Sequence, residues 1–397
     1  MKKLNHISVF LMVLIFISTF INPTQVSAEV QNDFENTSVN FLKTYFLTRD
    51  NVDANYISPK YENVNIENYI NNRIDIESSV KKAAHIIKFD YKITATLINK
   101  ENRDSLDYLT YGVRRDFTYE GIDSPTVVSD EVVVIGSKNM IVDVLFPNDP
   151  IEKELRGTSE KINLSKSQRL DSLDVDSINF RAKEYKERLL KSIEAAQVVE
   201  KDVYGIEGST SLDPISSSKS LTWAKANYNK YSPLSRSSIV PYYDFSKISG
   251  SYDCTNFVSH ALLAGGANLF NNGNPSTGWW YASLNSRSYS WPSVNYLFSF
   301  LTTTHSKGPV ASSVKYKIFD ERYEYPFSLG DIVQFGNTSA WGHSTIIMGF
   351  YVYNPASPYR YGTLVIGRTS PTQYNFNLKV EDSNYDNKRV LVVEGTY

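Results

Sequence analysis

The chain has 397 residues, 41% hydrophobic, 21% charged and 13% aromatic, with a formal net charge of -2. Such a composition excludes a disordered chain and a single small domain, and leaves room for two domains. Cys254 is the sole cysteine, which excludes an intrachain disulfide and a zinc site built from several cysteines.

Residues 1–28 read as a leader. Lys2 and Lys3 precede an apolar run from Ile7 to Ile21, and Val26-Ser27-Ala28 is a small-residue cleavage pattern. The run is short for a membrane span, so a cleaved secretory signal peptide is expected, with no transmembrane segment in the mature chain. A lone thiol in an exported protein draws attention as a working nucleophile, because exported proteins tend to pair their thiols or lose them.

Charge divides the mature chain. Residues 217–397 carry 15 Lys and Arg against 10 Asp and Glu, whereas 29–216 carry 24 against 33. The first half opens with a helix expected over Glu35 to Thr48, where Phe41, Leu42 and Tyr45 share helical spacing, and a second over Ile76 to Ile87. Strands are expected at Lys88–Leu97, Tyr108–Tyr119, Thr126–Ile135 and Asn139–Phe146. Helices followed by an antiparallel meander give an α+β domain over 29–150, cystatin-like or nuclear-transport-factor-like in element order. His85 reads as a structural or surface residue, and no cluster there suggests chemistry. A long amphipathic helix follows from Asp176 to Glu200, then a linker rich in Gly, Ser and Pro from Gly205 to Ser220. Residues 151–216 are thus a helical connector and linker, and 217–397 form the second domain.

That domain holds the chemistry. Gly250 and Ser251 end a loop, Asp253 is placed to cap a helix beginning at Cys254, and Gly265-Gly266 ends it. A cysteine in the first turn faces unpaired N–H groups and the positive end of the helix dipole, which favour thiolate and offer donors to an oxyanion. A nucleophilic thiol wants a base. His260 lies about 240° around the helix from Cys254 and His305 sits in a polar loop. His343 heads the second strand of a hairpin formed by residues 330–349, in the segment Trp341-Gly342-His343-Ser344-Thr345. A helix-head Cys followed in sequence by a His on a sheet is the papain-like arrangement. Asn256 reads as structural, and Asp253 as a cap.

Asp253-Cys254-Thr255-Asn256-Phe257-Val258-Ser259, Ala264-Gly265-Gly266, Trp279-Trp280-Tyr281, Trp291, Gly330-Asp331-Ile332-Val333-Gln334 and His343-Ser344-Thr345-Ile346-Ile347 resemble the bacterial putative amidase domain family, a relative of papain-like CHAP-type cell-wall hydrolases. The resemblance spans roughly Leu221 to Leu378. It implies a papain-like cysteine hydrolase of amide bonds in peptidoglycan or other peptides, with Cys254 as nucleophile and His343 as base. Two positions depart from the pattern. His260 stands where the family has Gln, and Arg368 stands where a polar residue orienting the base is expected. An Arg only donates. Either Thr369 or Asn375 then orients His343, or the site is weakened and the protein binds wall without cleaving it. An exported transferase would use the same pair. Asp253, Trp279, Trp280 and Trp341 are candidates for the substrate groove. No metal spacing, phosphate loop or nucleic-acid module is present, so no cofactor is expected. The expected location is secreted or wall-associated.

Overall fold

The structure, a computed structural model, describes residues 33–52, 58–84, 86–122, 124–147, 149–157, 174–197, 212–233, 240–322, 327–337, 340–354 and 357–397. The leader, His85 and most of the linker lie outside the described residues.

In the first half, helices α1 (Asp33–Arg49) and α2 (Val64–Ala83) precede strands β1 (Lys88–Arg103), β2 (Leu106–Tyr119), β3 (Thr126–Ser137) and β4 (Met140–Leu145). Helix α2 begins well before the expected Ile76, because Asn63 caps it. The Asn63 side chain accepts from the N–H groups of Asn65 and Ile66. Two further helices, α3 (Pro150–Arg156) and α4 (Val175–Gln197), complete this half. Phe41, Leu42 and Tyr45 of α1, Ile66, Tyr69 and Ile70 of α2 and Tyr185 of α4 bury against Leu109, Val132 and Val144 of the strands.

The second half contains α5 (Ser217–Asn227), α6 (Cys254–Gly265), a short hairpin β5 (Tyr281–Ser283) and β6 (Ser286–Arg287), and α7 (Val294–Thr302). Strands β7 (Pro309–Lys315), β8 (Phe319–Asp320), β9 (Ile332–Gly336), β10 (Trp341–Asn354), β11 (Ser357–Arg368), β12 (Tyr374–Lys379) and β13 (Asn387–Thr396) follow. The strands alternate faces with period two. Ile332, Ile346, Ile366 and Leu391 pack against α5, α6 and α7. Their neighbours Val333, Ile347, Val365 and Val390 bury on the opposite face with Tyr316, Phe319 and Phe327.

One large antiparallel sheet carries both halves, giving a mixed α+β architecture. Among the described residues its order is β1-β2-β3-β12-β11-β10-β9-β13-β7, with β4 on β3 and β8 on β11. The halves join where β12 pairs β3, in the register Tyr374↔Ser129, Asn375↔Val128 and Phe376↔Val127. Buried polar contacts lock this seam. Lys88 pairs with Asp382 at 3.0 Å, Tyr119 donates to Asp382 at 2.8 Å, and Thr126 donates to the carbonyl of Asn377 at 3.0 Å. Each half therefore has its own core while the backbone ladder runs through both. No helix among the described residues is long and apolar enough to cross a membrane.

Candidate active site

Helix α6 starts at Cys254 and is capped by Gly266, whose left-handed φ of 109° lets its N–H reach back to the carbonyls of Leu262 and Leu263. Most of the helix is buried, from Cys254 through Leu263. Asp253 stands at the N-cap position, but its side chain makes no cap bond. Its carboxylate accepts instead from Arg368 Nε at 2.8 Å, from Phe245 N at 3.1 Å, from Asn256 Nδ2 at 2.9 Å and from the Tyr242 hydroxyl. Burial and the neighbouring charge of Asp244 push it up to about 6, against the pull of Arg368. The expectation of a capping or substrate-touching Asp253 is thus corrected. It is an internal tie, fully shielded from solvent.

Asn256 is likewise internal. It donates to the carbonyl of Tyr243 at 3.0 Å and accepts from Trp291 Nε1 at 2.8 Å. The Asp253 N–H donates to the carbonyl of Thr369 at 2.9 Å, which fixes the head of α6 to the end of β11.

Cys254 meets the start of β10. Its sulfur lies 4.0 Å from the carbonyl of Gly342 and 3.8 Å from Thr255 Oγ1, and it receives the backbone N–H of Ser344 and Thr255. The residues on both sides of His343 therefore touch the thiol. The β9–β10 pairing slips between Trp341 and His343, a bulge at Gly342 that re-aims the following side chain. The His343 ring lies nearly parallel to Phe335, centroids 5.9 Å apart, and to Tyr385 at 6.4 Å.

Of the two candidates for orienting His343, Asn375 is the one whose side chain faces the ring. His343 Nε2 faces Asn375 Oδ1 at 3.4 Å. Asn375 on β12 pairs with Gly367 on β11. A Cβ on Gly367 would stand 3.5 Å from His343 Nε2 and 2.6 Å from Thr345 Cγ2. The missing side chain at 367 therefore leaves the space in which the Asn375 amide approaches the imidazole. Thr369 makes only backbone bonds, accepting from Asp253 and donating to Gln373. Arg368 is turned away into the protein, where it binds Asp244 at 2.7 Å and Asp253 at 2.8 Å.

Burial acts on both groups toward their uncharged forms. Burial pushes the Cys254 thiol up, outweighing the N–H groups of Ser344 and Thr255 that pull it down. Burial drops His343 to about 4, opposed by its contact with Asn375. The helix-head position favours a thiolate, and desolvation works against it here.

His343 and Asn375, though not the buried Cys254, line a cavity of about 450 Å³ walled by both halves of the chain. Tyr252, Gly342, His343, Thr369, Asn375 and Tyr385 line one side, and Arg49, Lys81, Arg115, Asp130, Lys153 and Arg181 line the other. The first half was not expected to take part in chemistry. Glu77 and Lys81, one helical turn apart on α2, nonetheless line this cavity. Trp279 is fully buried, with its Nε1 donating to Ser259 at 3.3 Å, so it is no groove wall. Trp280 and Trp341 do not line the cavity either, and Trp341 lies under the Arg389 guanidinium at 3.9 Å. Among the described residues no group of three His, Cys, Asp or Glu side chains is placed to hold a metal ion.

The site thus gathers a buried thiol at a helix head, a strand whose His343 follows the Gly342 carbonyl at that sulfur, and the Asn375 amide facing the imidazole. Residues 215–392 match the protein family described as "Putative amidase domain", which supports a hydrolase acting on amide bonds. No curated protein matches the chain, and no solved structure does.

Proposed function

We propose that the protein is a cysteine-dependent amide hydrolase of papain-like layout, with Cys254 as nucleophile, His343 as general base and Asn375 orienting the base. The observation that carries this reading is the meeting of three elements at one point. The head of α6 brings the sulfur, the bulged start of β10 brings His343, and β12 brings Asn375 to 3.4 Å from Nε2. With Nε2 held by Asn375, Nδ1 is the nitrogen left to exchange a proton with the thiol. Attack then begins from the neutral pair. His343 takes the thiol proton as sulfur bonds to the carbonyl carbon, then delivers it to the departing amine, and water releases the acyl group. The first-turn N–H groups favour the negative charge that develops.

The substrate class fits peptides of the bacterial wall, and the leader-like residues 1–28 support export to that compartment, secreted or wall-associated. A wall-binding protein without activity was favoured by Arg368 in the orienting position. Arg368 is instead consumed by Asp244 and Asp253, and the approach of Asn375 to His343 supports Asn375 in that role.

The test is release of free amine from soluble wall peptides by wild type, Cys254→Ala and His343→Ala. Both variants should lose about a thousandfold or more. Undiminished hydrolysis by Cys254→Ala would end the cysteine reading. With burial disfavouring the thiolate, iodoacetamide should react slowly at neutral pH and faster as the thiol ionises at alkaline pH. His343→Ala should change the neutral rate little, whereas a large drop would reveal an ion pair instead.

A further inference from the structure

We propose that Lys153 and Arg181 form a carboxylate-recognition subsite in the shared cleft, selecting amide substrates that carry a free carboxylate. The inference rests on the amide-hydrolase reading and names the substrate chemistry that the cleft selects.

The argument is one of charge matching inside a cavity. Three cations of the wall are already neutralised. Arg49 and Lys81 contact both Asp50 and Glu77, and Arg115 contacts Asp50 and Asp130. The carboxylates are matched as well. Asp149 takes Arg73 at 2.6 Å, Glu154 takes Arg188 at 3.2 Å, and Asp382 takes Lys88 at 3.0 Å. Lys153 and Arg181 remain, and among the described residues no carboxylate lies within ion-pair distance of either.

Lys153, half-buried on α3, faces the cavity, and burial alone pulls its pKa down. No neighbouring anion opposes that pull, and an incoming carboxylate would. Arg181 on α4 spends Nε and Nη2 on the carbonyl of Leu155, at 2.9 and 2.7 Å. These bonds fix the guanidinium plane and leave Nη1 beside Gly157, where a Cβ would come within 3.2 Å of it. Exposed Asp174 feels the charge of Arg181 without forming an ion pair with it. A guanidinium held flat and a desolvated ammonium lining the same cavity suit a carboxylate, through charge-assisted hydrogen bonds. The His343 end of the same cavity would then receive the scissile amide of that molecule.

The test measures binding without turnover, on full-length Cys254→Ala protein by calorimetry. The probes are the peptide L-Ala-γ-D-Glu-L-Lys-D-Ala-D-Ala and its counterpart with both free carboxylates converted to amides. The acidic peptide should bind about tenfold tighter or better, the scale of one charge-assisted contact. Adding Lys153→Gln should remove most of that preference, and Lys153→Arg should restore it, with circular dichroism confirming that each variant is folded. Equal affinity for the two peptides, no binding of either at millimolar concentration, or a preference that survives Lys153→Gln overturns the proposal. Those outcomes are separate from hydrolysis by Cys254→Ala, which would overturn the catalytic reading instead.

Discussion

Arg368 is enclosed with its two carboxylate partners, and its Nη1 also donates to the carbonyl of Lys230 at 2.6 Å. Removing one side of a buried ion pair leaves an uncompensated charge, which typically costs about 3–5 kcal/mol. Arg368→Met should therefore lower stability by about that much in urea unfolding, chiefly by stranding Asp253 and Asp244. Because Asp253 holds the loop that sets the head of α6, the variant should also lose activity well below its unfolding midpoint. A change under about 1 kcal/mol would mean that the carboxylates are protonated in the fold. Asn375 and Thr369 separate in the same way. Asn375→Ala removes the partner of His343 Nε2 and should lower kcat about 10–100-fold with KM little changed, while Thr369→Ala removes no bond to the imidazole. Steady-state kinetics of the two variants on one peptide decide the assignment, and equal losses would refute it.

At the scale of elements, α6 shows what was legible and what was not. Its bounds follow from Cys254 and Gly266, since a Gly pair stops a helix wherever it falls. The hairpin bearing His343 was readable from its turn and its apolar alternation. The choice between Thr369 and Asn375 as partner of His343 was not, because register between β11 and β12 sets Asn375 opposite Gly367, and pairing between strands has no local signal. The role of Asp253 was misread for a related reason. Its partners Arg368, Tyr242 and Phe245 come from elsewhere in the chain, and a local cap was the only use its neighbours suggested. His260 on α6 is a third case. Its ring packs among Trp223, Tyr242, Tyr281 and Trp291, and burial lowers it to about 3 from an ordinary 6.5. Between those values the unfolded chain binds a proton that the folded chain refuses. The stability contribution is therefore whole above pH 6.5 and falls as pH drops toward 3. His260→Phe should remove one proton from this dependence, flattening it by up to about 1.4 kcal/mol per pH unit. Urea midpoints from pH 4 to 8 would show the flattening, and an unchanged slope would place a proton on His260 in the native state.

For the whole molecule, the junction of β3 with β12 decides whether the chain behaves as one unit or two. The charge split and the Gly- and Ser-rich stretch point to independent halves, and each half does have its own core. The sheet crosses between them nonetheless, and the cavity takes one wall from each. A fragment of residues 212–397 would keep the α6 core and every residue proposed for catalysis, since Asp213 already pairs with Thr396 at the far side of the sheet. It would also bare the backbone edge of β12, and it would leave Asp382 without Lys88 and Tyr119. A bare edge invites pairing with another chain, and an unpaired buried carboxylate is costly. The fragment should therefore aggregate in light scattering where the full chain stays monodisperse, and should melt well below it. Asn375 would lose the β3 partner that fixes its strand, so even soluble fragment should lose at least about tenfold in kcat, the scale of losing a ligand's orienting contact. A monodisperse fragment with full activity would instead show that the first half only adds a wall to the cleft. Its loss would then surface solely as weaker binding of carboxylate-bearing peptides, because Lys153 and Arg181 leave with it.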